Sequence, residues 1–150
     1  LKKFQETYNK MGRILAIDYG RKRVGIAVTD PLQIIATSLT TVAASEAMIF
    51  LENYFKTEIV DRVVIGYPRQ MNNELSEAVE FIDPFIAAFK KKFPDKPIEL
   101  ADERFTSKMA FQTMIDSGIG KMKRRDKALV DTISATIILQ SYLEQKKNKM

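Results

Sequence analysis

Two short apolar runs near the start of the chain, Ile14 to Ile17 and Val24 to Val28, are separated by the polar and basic stretch Asp18-Tyr19-Gly20-Arg21-Lys22-Arg23. This spacing predicts a β-hairpin in which Gly20 opens the turn and Gly25 lets another backbone or a ligand come close to the second strand. Gln33 to Val42, rich in Ile and Thr, reads as a third strand, and Ser45 is placed to cap a helix from about Glu46 to Lys56. Asp61 to Gly66 returns as a buried strand. A longer helix is expected over about Asn73 to Lys92, with Leu75, Val79, Ile82, Ile86 and Phe89 at core spacing and Pro84 kinking it. Pro97 to Arg104 reads as a short strand ending in carboxylates. Thr106 begins a helix through about Asp116, with Met109, Phe111, Met114 and Ile115 as core positions, and Gly118 ends it. The final helix contains Ala128 to Leu139. Its spacing puts Asp131 on a stripe with Ser134, Ala135 and Ile138, beside an apolar stripe of Val130, Ile133 and Ile137.

The order is three strands, a helix, a strand, a helix, a strand and two helices. Helices alternating with the later strands imply an α/β fold with a mixed sheet. With 150 residues, 45% of them hydrophobic, one core and one domain are expected. Residues 11–145 would form it. Leu1 to Lys10 would be an N-terminal extension, and residues 146–150 a basic C-terminal tail whose Lys146, Lys147 and Lys149 favour the helix dipole and solubility. No apolar run approaches the roughly 20 residues a membrane helix needs, and the start lacks a hydrophobic signal region.

The chemistry open to this chain is narrow. It contains no His and no Cys, which excludes thiolate nucleophiles, imidazole bases and the usual zinc sites. Carboxylates recur instead at element ends: Asp18 where the first strand leaves the core, Asp102 and Glu103 at the end of another strand, and Asp131 at a helix start. Each has a bland alternative, an Asx turn for Asp18 and a helix-dipole acid for Asp131. Together they match the oxygen donors that Mg²⁺ or Mn²⁺ prefers, and such ions can activate water for in-line displacement at a phosphodiester. The formal net charge of +5, from 24 basic and 19 acidic residues, suggests a polyanionic partner. Lys121, Lys123, Arg124 and Arg125 precede the Asp131 helix, after Ser117-Gly118-Ile119-Gly120. With Arg21, Lys22, Arg23 and Arg104 they could hold phosphates on both sides of a scissile bond, or form a solvated loop.

Asp18-Tyr19-Gly20-Arg21-Lys22-Arg23-Val24-Gly25, Val64-Ile65-Gly66-Tyr67-Pro68, Asp102-Glu103-Arg104-Phe105-Thr106-Ser107 and Val130-Asp131 through Gln140 occur in an order that resembles the YqgF (RuvX) family of RNase H-like nucleases. The motifs span almost all of Met11 to Leu143. Tyr67 before Pro68 departs from the small or aliphatic residue more usual there. The resemblance implies an RNase H-like five-stranded mixed sheet with helices on its faces, and Asp18, Glu103 and Asp131 as catalytic acids holding Mg²⁺ or Mn²⁺. Asp102 stays a rival to Glu103. It also implies a cytoplasmic hydrolase that trims the 5′ end of precursor 16S rRNA during ribosome biogenesis. Holliday-junction resolution in branched DNA and non-catalytic RNA binding are the alternatives. The ATPase domains of actin, Hsp70 and sugar kinases share the core, but they close two domains around a nucleotide, and one copy cannot make that cleft. The chain shows no long heptad seam, so a monomer or weak homodimer is expected.

Overall fold

Continuous burial along Arg13–Tyr19 (β1) and Arg23–Thr29 (β2) makes these the inner strands of a sheet covered on both faces, with Ile14 to Ile17 and Val24 to Val28 all buried. The computed structural model describes residues 12–67, 79–102 and 127–148. After the hairpin come Ala36–Ala43 (β3), a 3₁₀ turn at Ala44–Glu46, Ala47–Thr57 (α1), Val60–Tyr67 (β4), Val79–Lys92 (α2), Ile98–Asp102 (β5) and Lys127–Asn148 (α3). The strands lie in the order β3-β2-β1-β4-β5. The first three pair antiparallel, while β4 joins β1 in parallel and β5 joins β4 in parallel. This is the five-stranded mixed sheet and α/β class expected from the sequence.

Period-two alternation sorts the side chains of the sheet. Leu15, Ile17, Val24, Ile26, Val63 and Ile65 point to one face, where Leu51 of α1 and Phe85 and Phe89 of α2 cover them. Ile14, Ala16, Ala27 and Val64 point to the other, where Ala135, Ile138 and Leu139 of α3 seal them in a second cluster. The stripe expected beside Asp131 is therefore a true contact face, with Ser134, Ala135 and Ile138 all at or below 2% exposure.

Several boundaries differ from the sequence reading, each for a local reason. The third strand begins at Ala36 rather than Gln33 because the Asp30 carboxylate accepts the backbone N–H groups of Leu32 (3.1 Å), Ile34 (2.8 Å) and Ile35 (2.8 Å). These bonds outweigh the opposing effect of burial and hold the Asp30 carboxyl below the usual carboxylate range. Gln33, at φ 59°, turns in the left-handed region inside that loop. Ser45 does not cap a helix: it lies in the 3₁₀ turn, no side chain caps either the turn or α1, and the chain is fixed there by Ala44 N–H donating to the Lys22 carbonyl at 2.9 Å. Pro84 sits inside α2, on its exposed side, and Phe85 joins the anticipated Ile82 and Phe89 in the core. The last helix continues through Lys146 and Lys147, and Lys146 Nζ donates to Gln33 Oε1 at 2.9 Å. Leu75 and the helix expected from Thr106 lie outside the described residues.

Candidate active site

Asp18 occupies the next-to-last position of β1, at the edge of the sheet where the parallel strands β1, β4 and β5 all end. Open parallel sheets bind ligands at this carboxyl edge. Its partner across the hairpin is Gly25, and paired backbones in such a ladder approach to about 5 Å. Gly25 has a second neighbour. A Cβ there would stand 2.1 Å from the backbone oxygen of Asp131 and 3.0 Å from the nitrogen of Thr132, so only glycine lets α3 lie this close to the strand. The first turns of α3 are thereby laid over the strand pair that carries Asp18. Two of the anticipated acids, 113 positions apart in the chain, are brought to one place.

Further polar contacts hold α3 in register. Arg23 Nε donates to Asp131 Oδ2 at 3.2 Å, with both side chains about one-third exposed or less. Ser38 and Thr136 share a hydroxyl hydrogen bond at 2.7 Å, and Thr41 bonds to Thr132. Three ties from β2 and β3 to one side of the helix fix its rotation about its own axis. The sequence reading assigned Arg23 to substrate phosphate; in the fold it is engaged with Asp131. Nothing local in the sequence signals that pair.

Arg21 and Lys22 project from the turn and are exposed. The turn is tight, with Gly20 N–H donating to the Arg23 carbonyl at 2.9 Å, an oxygen that a Cβ at Gly20 would meet at 2.7 Å. Behind the turn, on the face opposite to Asp18, Tyr19 stacks on Phe85 at a centroid distance of 4.3 Å. Phe81 lies 6.1 Å from Tyr19, and the Arg21 guanidinium carbon sits 5.4 Å from the Phe81 ring centre. Burial raises the Tyr19 phenol above its ordinary range, so it stays protonated at neutral pH. Tyr67, at the end of β4, donates to Asp83 at 2.8 Å. The sequence reading missed this aromatic group, although the step from Asp18 to Tyr19 already puts Tyr19 on the other face.

Glu103, Arg104, Lys121, Lys123, Arg124 and Arg125 lie outside the described residues, and Asp102 closes β5. Among the described residues no cluster of three metal-ligating side chains occurs. Carboxylates at a strand end and a helix start are hard oxygen donors of the kind that suits a divalent cation such as Mg²⁺ or Mn²⁺. A cleft of about 820 Å³ opens elsewhere, between the Leu32 to Ala36 loop and the end of α3. That loop follows the far end of β2, so the cleft contains none of the acids.

Residues 12–145 match the RuvX family, described as Holliday junction resolvase. The chain belongs to that family. A Bacteroides fragilis protein named "Putative pre-16S rRNA nuclease" is 59% identical over 137 residues, covering 91% of this chain and 99% of the relative. Proteins of the same name from Flavobacterium psychrophilum and Porphyromonas gingivalis are each 60% identical, over 136 and 134 residues, covering 91% and 89% of this chain and 99% and 97% of the relatives. No described helix is long and apolar enough to cross a membrane.

Proposed function

We propose that this chain is a divalent-metal-dependent nuclease of the RuvX family that hydrolyses a phosphodiester near the 5′ end of precursor 16S rRNA in the cytoplasm. The observation that supports the reading most is the close approach of the Asp131 backbone to Gly25, the partner of Asp18 across the hairpin. The choice of substrate follows the names carried by relatives at 57% to 60% identity.

Asp18 and Asp131 would hold the cation. The family resemblance makes Glu103 the third acid, with Asp102 as its rival. When bound, Mg²⁺ or Mn²⁺ supplies Lewis acidity for attack of water on the phosphorus and for departure of the leaving oxygen. Arg23 orients the Asp131 carboxylate and offsets part of its charge. Lys22, with Arg104, Lys121, Lys123, Arg124 and Arg125, would draw the phosphate backbone toward the edge. A monomer or weak homodimer suffices to trim one strand.

The family description favours a second reading, cleavage of a four-way DNA junction. Paired cuts in a symmetric junction need two sites held at fixed spacing by a symmetric dimer. Metal-dependent cleavage should be assayed side by side on 5′-extended precursor rRNA and a four-way junction, with Asp18→Asn as control. The account expects the RNA to be trimmed and Asp18→Asn to be inactive but folded. Full activity of folded Asp18→Asn contradicts the site, and paired junction cuts with intact RNA contradict the substrate.

A further inference from the structure

Asp18 and Tyr19 are consecutive residues of one strand and lie on opposite faces of the sheet, one step of about 3.3 Å apart. A nucleic-acid strand drawn over this edge therefore meets carboxylates on one side and an aromatic group on the other. That group is not simply more core. Phe85 and Phe89 belong to the buried cluster with Tyr19 packed against it, whereas Phe81 stands one helical turn nearer the edge, half-buried and covered by an exposed arginine. A guanidinium held over a ring is planar, cationic and open to solvent on its outer side, a combination that stacks on a nucleobase while attracting the adjoining phosphates.

We propose that Tyr19, Phe81 and Arg21 form a stacking platform for one unpaired base beside the scissile phosphate, and that this platform gives the enzyme a preference for single-stranded RNA. The proposal rests on the nuclease reading for the position of the phosphate. Phe81 holds the guanidinium, Tyr19 backs Phe81 at 6.1 Å, and Phe85 anchors Tyr19 at 4.3 Å, so the plate is braced from the core outward. A paired base keeps its faces stacked within the duplex and cannot use it. Arg21 then contacts a base, whereas Lys22 contacts phosphate.

Binding should be measured in EDTA, so that nothing is cleaved, with a short oligoribonucleotide carrying one 2-aminopurine moved along its length. The wild-type protein should alter the fluorescence strongly at one position, and an abasic nucleotide there should weaken binding about tenfold. Phe81→Leu keeps apolar bulk and should show the same tenfold loss on the intact oligonucleotide, no further loss on the abasic one, and no change on a duplex. Phe81→Tyr should restore binding. If no single abasic position costs wild-type binding more than twofold, or if the losses from Phe81→Leu and base removal multiply, the platform is overturned. The first of those outcomes needs no variant, so a poorly folding Phe81→Leu does not protect the proposal. Equal affinity for duplex and single strand overturns the preference. Intact stacking in a protein that cleaves no RNA with metal would overturn the nuclease reading and leave the platform standing.

Discussion

On one face of the sheet Leu15, Ile17, Val24 and Ile26 meet Leu51, Phe85 and Phe89; on the other Ala16 and Ala27 meet Ala135 and Ile138, and Gly25 lies under the backbone of Asp131. The first face is filled by large side chains that could be exchanged for others of similar volume. The second mixes Ala16, Ala27 and Ala135 with Ile14, Val64, Ile138 and Leu139, and at Gly25 its spacing is set by backbone against backbone. The large-residue face supplies stability. The other face fixes the position of α3, the helix that carries Asp131, through the close approach at Gly25. Both faces end at the same sheet edge, where β1 carries Asp18.

This contrast can be broken most severely at Phe89, fully buried and in contact with Phe55, Phe85 and Phe93. Phe89→Ala should cost about 3–5 kcal/mol in urea-unfolding stability, while protein that remains folded keeps its metal affinity. Gly25→Ala should do the reverse of this in emphasis. Backbone overlap of the kind seen at 2.1 Å cannot be relieved by a rotamer change, so α3 must lift, at a cost of about 2–3 kcal/mol, and activity should be lost even in the folded fraction. Asp30→Ala, at the far end of β2, should cost about 1–2 kcal/mol through three lost backbone hydrogen bonds and leave cleavage unchanged. Because the folded carboxyl lies below the ordinary aspartate value of 3.8, Asp30 contributes stability above that pH and loses it as the pH falls through the folded value. Thermal unfolding across the acid range should show a shallower acid limb in Asp30→Ala. Arg23→Gln should be smallest in stability, below about 1 kcal/mol for a pair that water still reaches, and a larger loss would make Arg23 a strut of the fold.

The hairpin, the return of β4 and the buried stripe of α3 could be read from the sequence because alternation and helical spacing are local patterns with one structural answer. The special role of Gly25 was legible too, since a glycine inside an apolar strand asks for something close above it. What could not be read depends on partners distant in the chain or on competition within a loop. Arg23 and Asp131 are separated by 108 positions, and the pairing of Arg21 with Phe81 requires knowing that α2 starts beside the β1–β2 turn. Gln33 to Ile35 have strand-like composition, yet the Asp30 carboxylate takes the N–H groups of Ile34 and Ile35 and the Asp30 carbonyl takes that of Gln33. Ser45 looked like a cap because its type favours one, while the Ala44 to Lys22 backbone bond had already fixed the chain.

The central claim is that Asp18 and Asp131 hold one divalent cation site across Gly25. Titration with Mn²⁺ followed by electron paramagnetic resonance tests it without depending on any substrate, comparing the wild-type protein with Asp18→Asn and Asp131→Asn after circular dichroism has shown all three folded. The account predicts saturable Mn²⁺ binding in the wild type that weakens at least tenfold in each variant, with the double variant no worse than the weaker single one. Unchanged Mn²⁺ affinity in both folded single variants would contradict it.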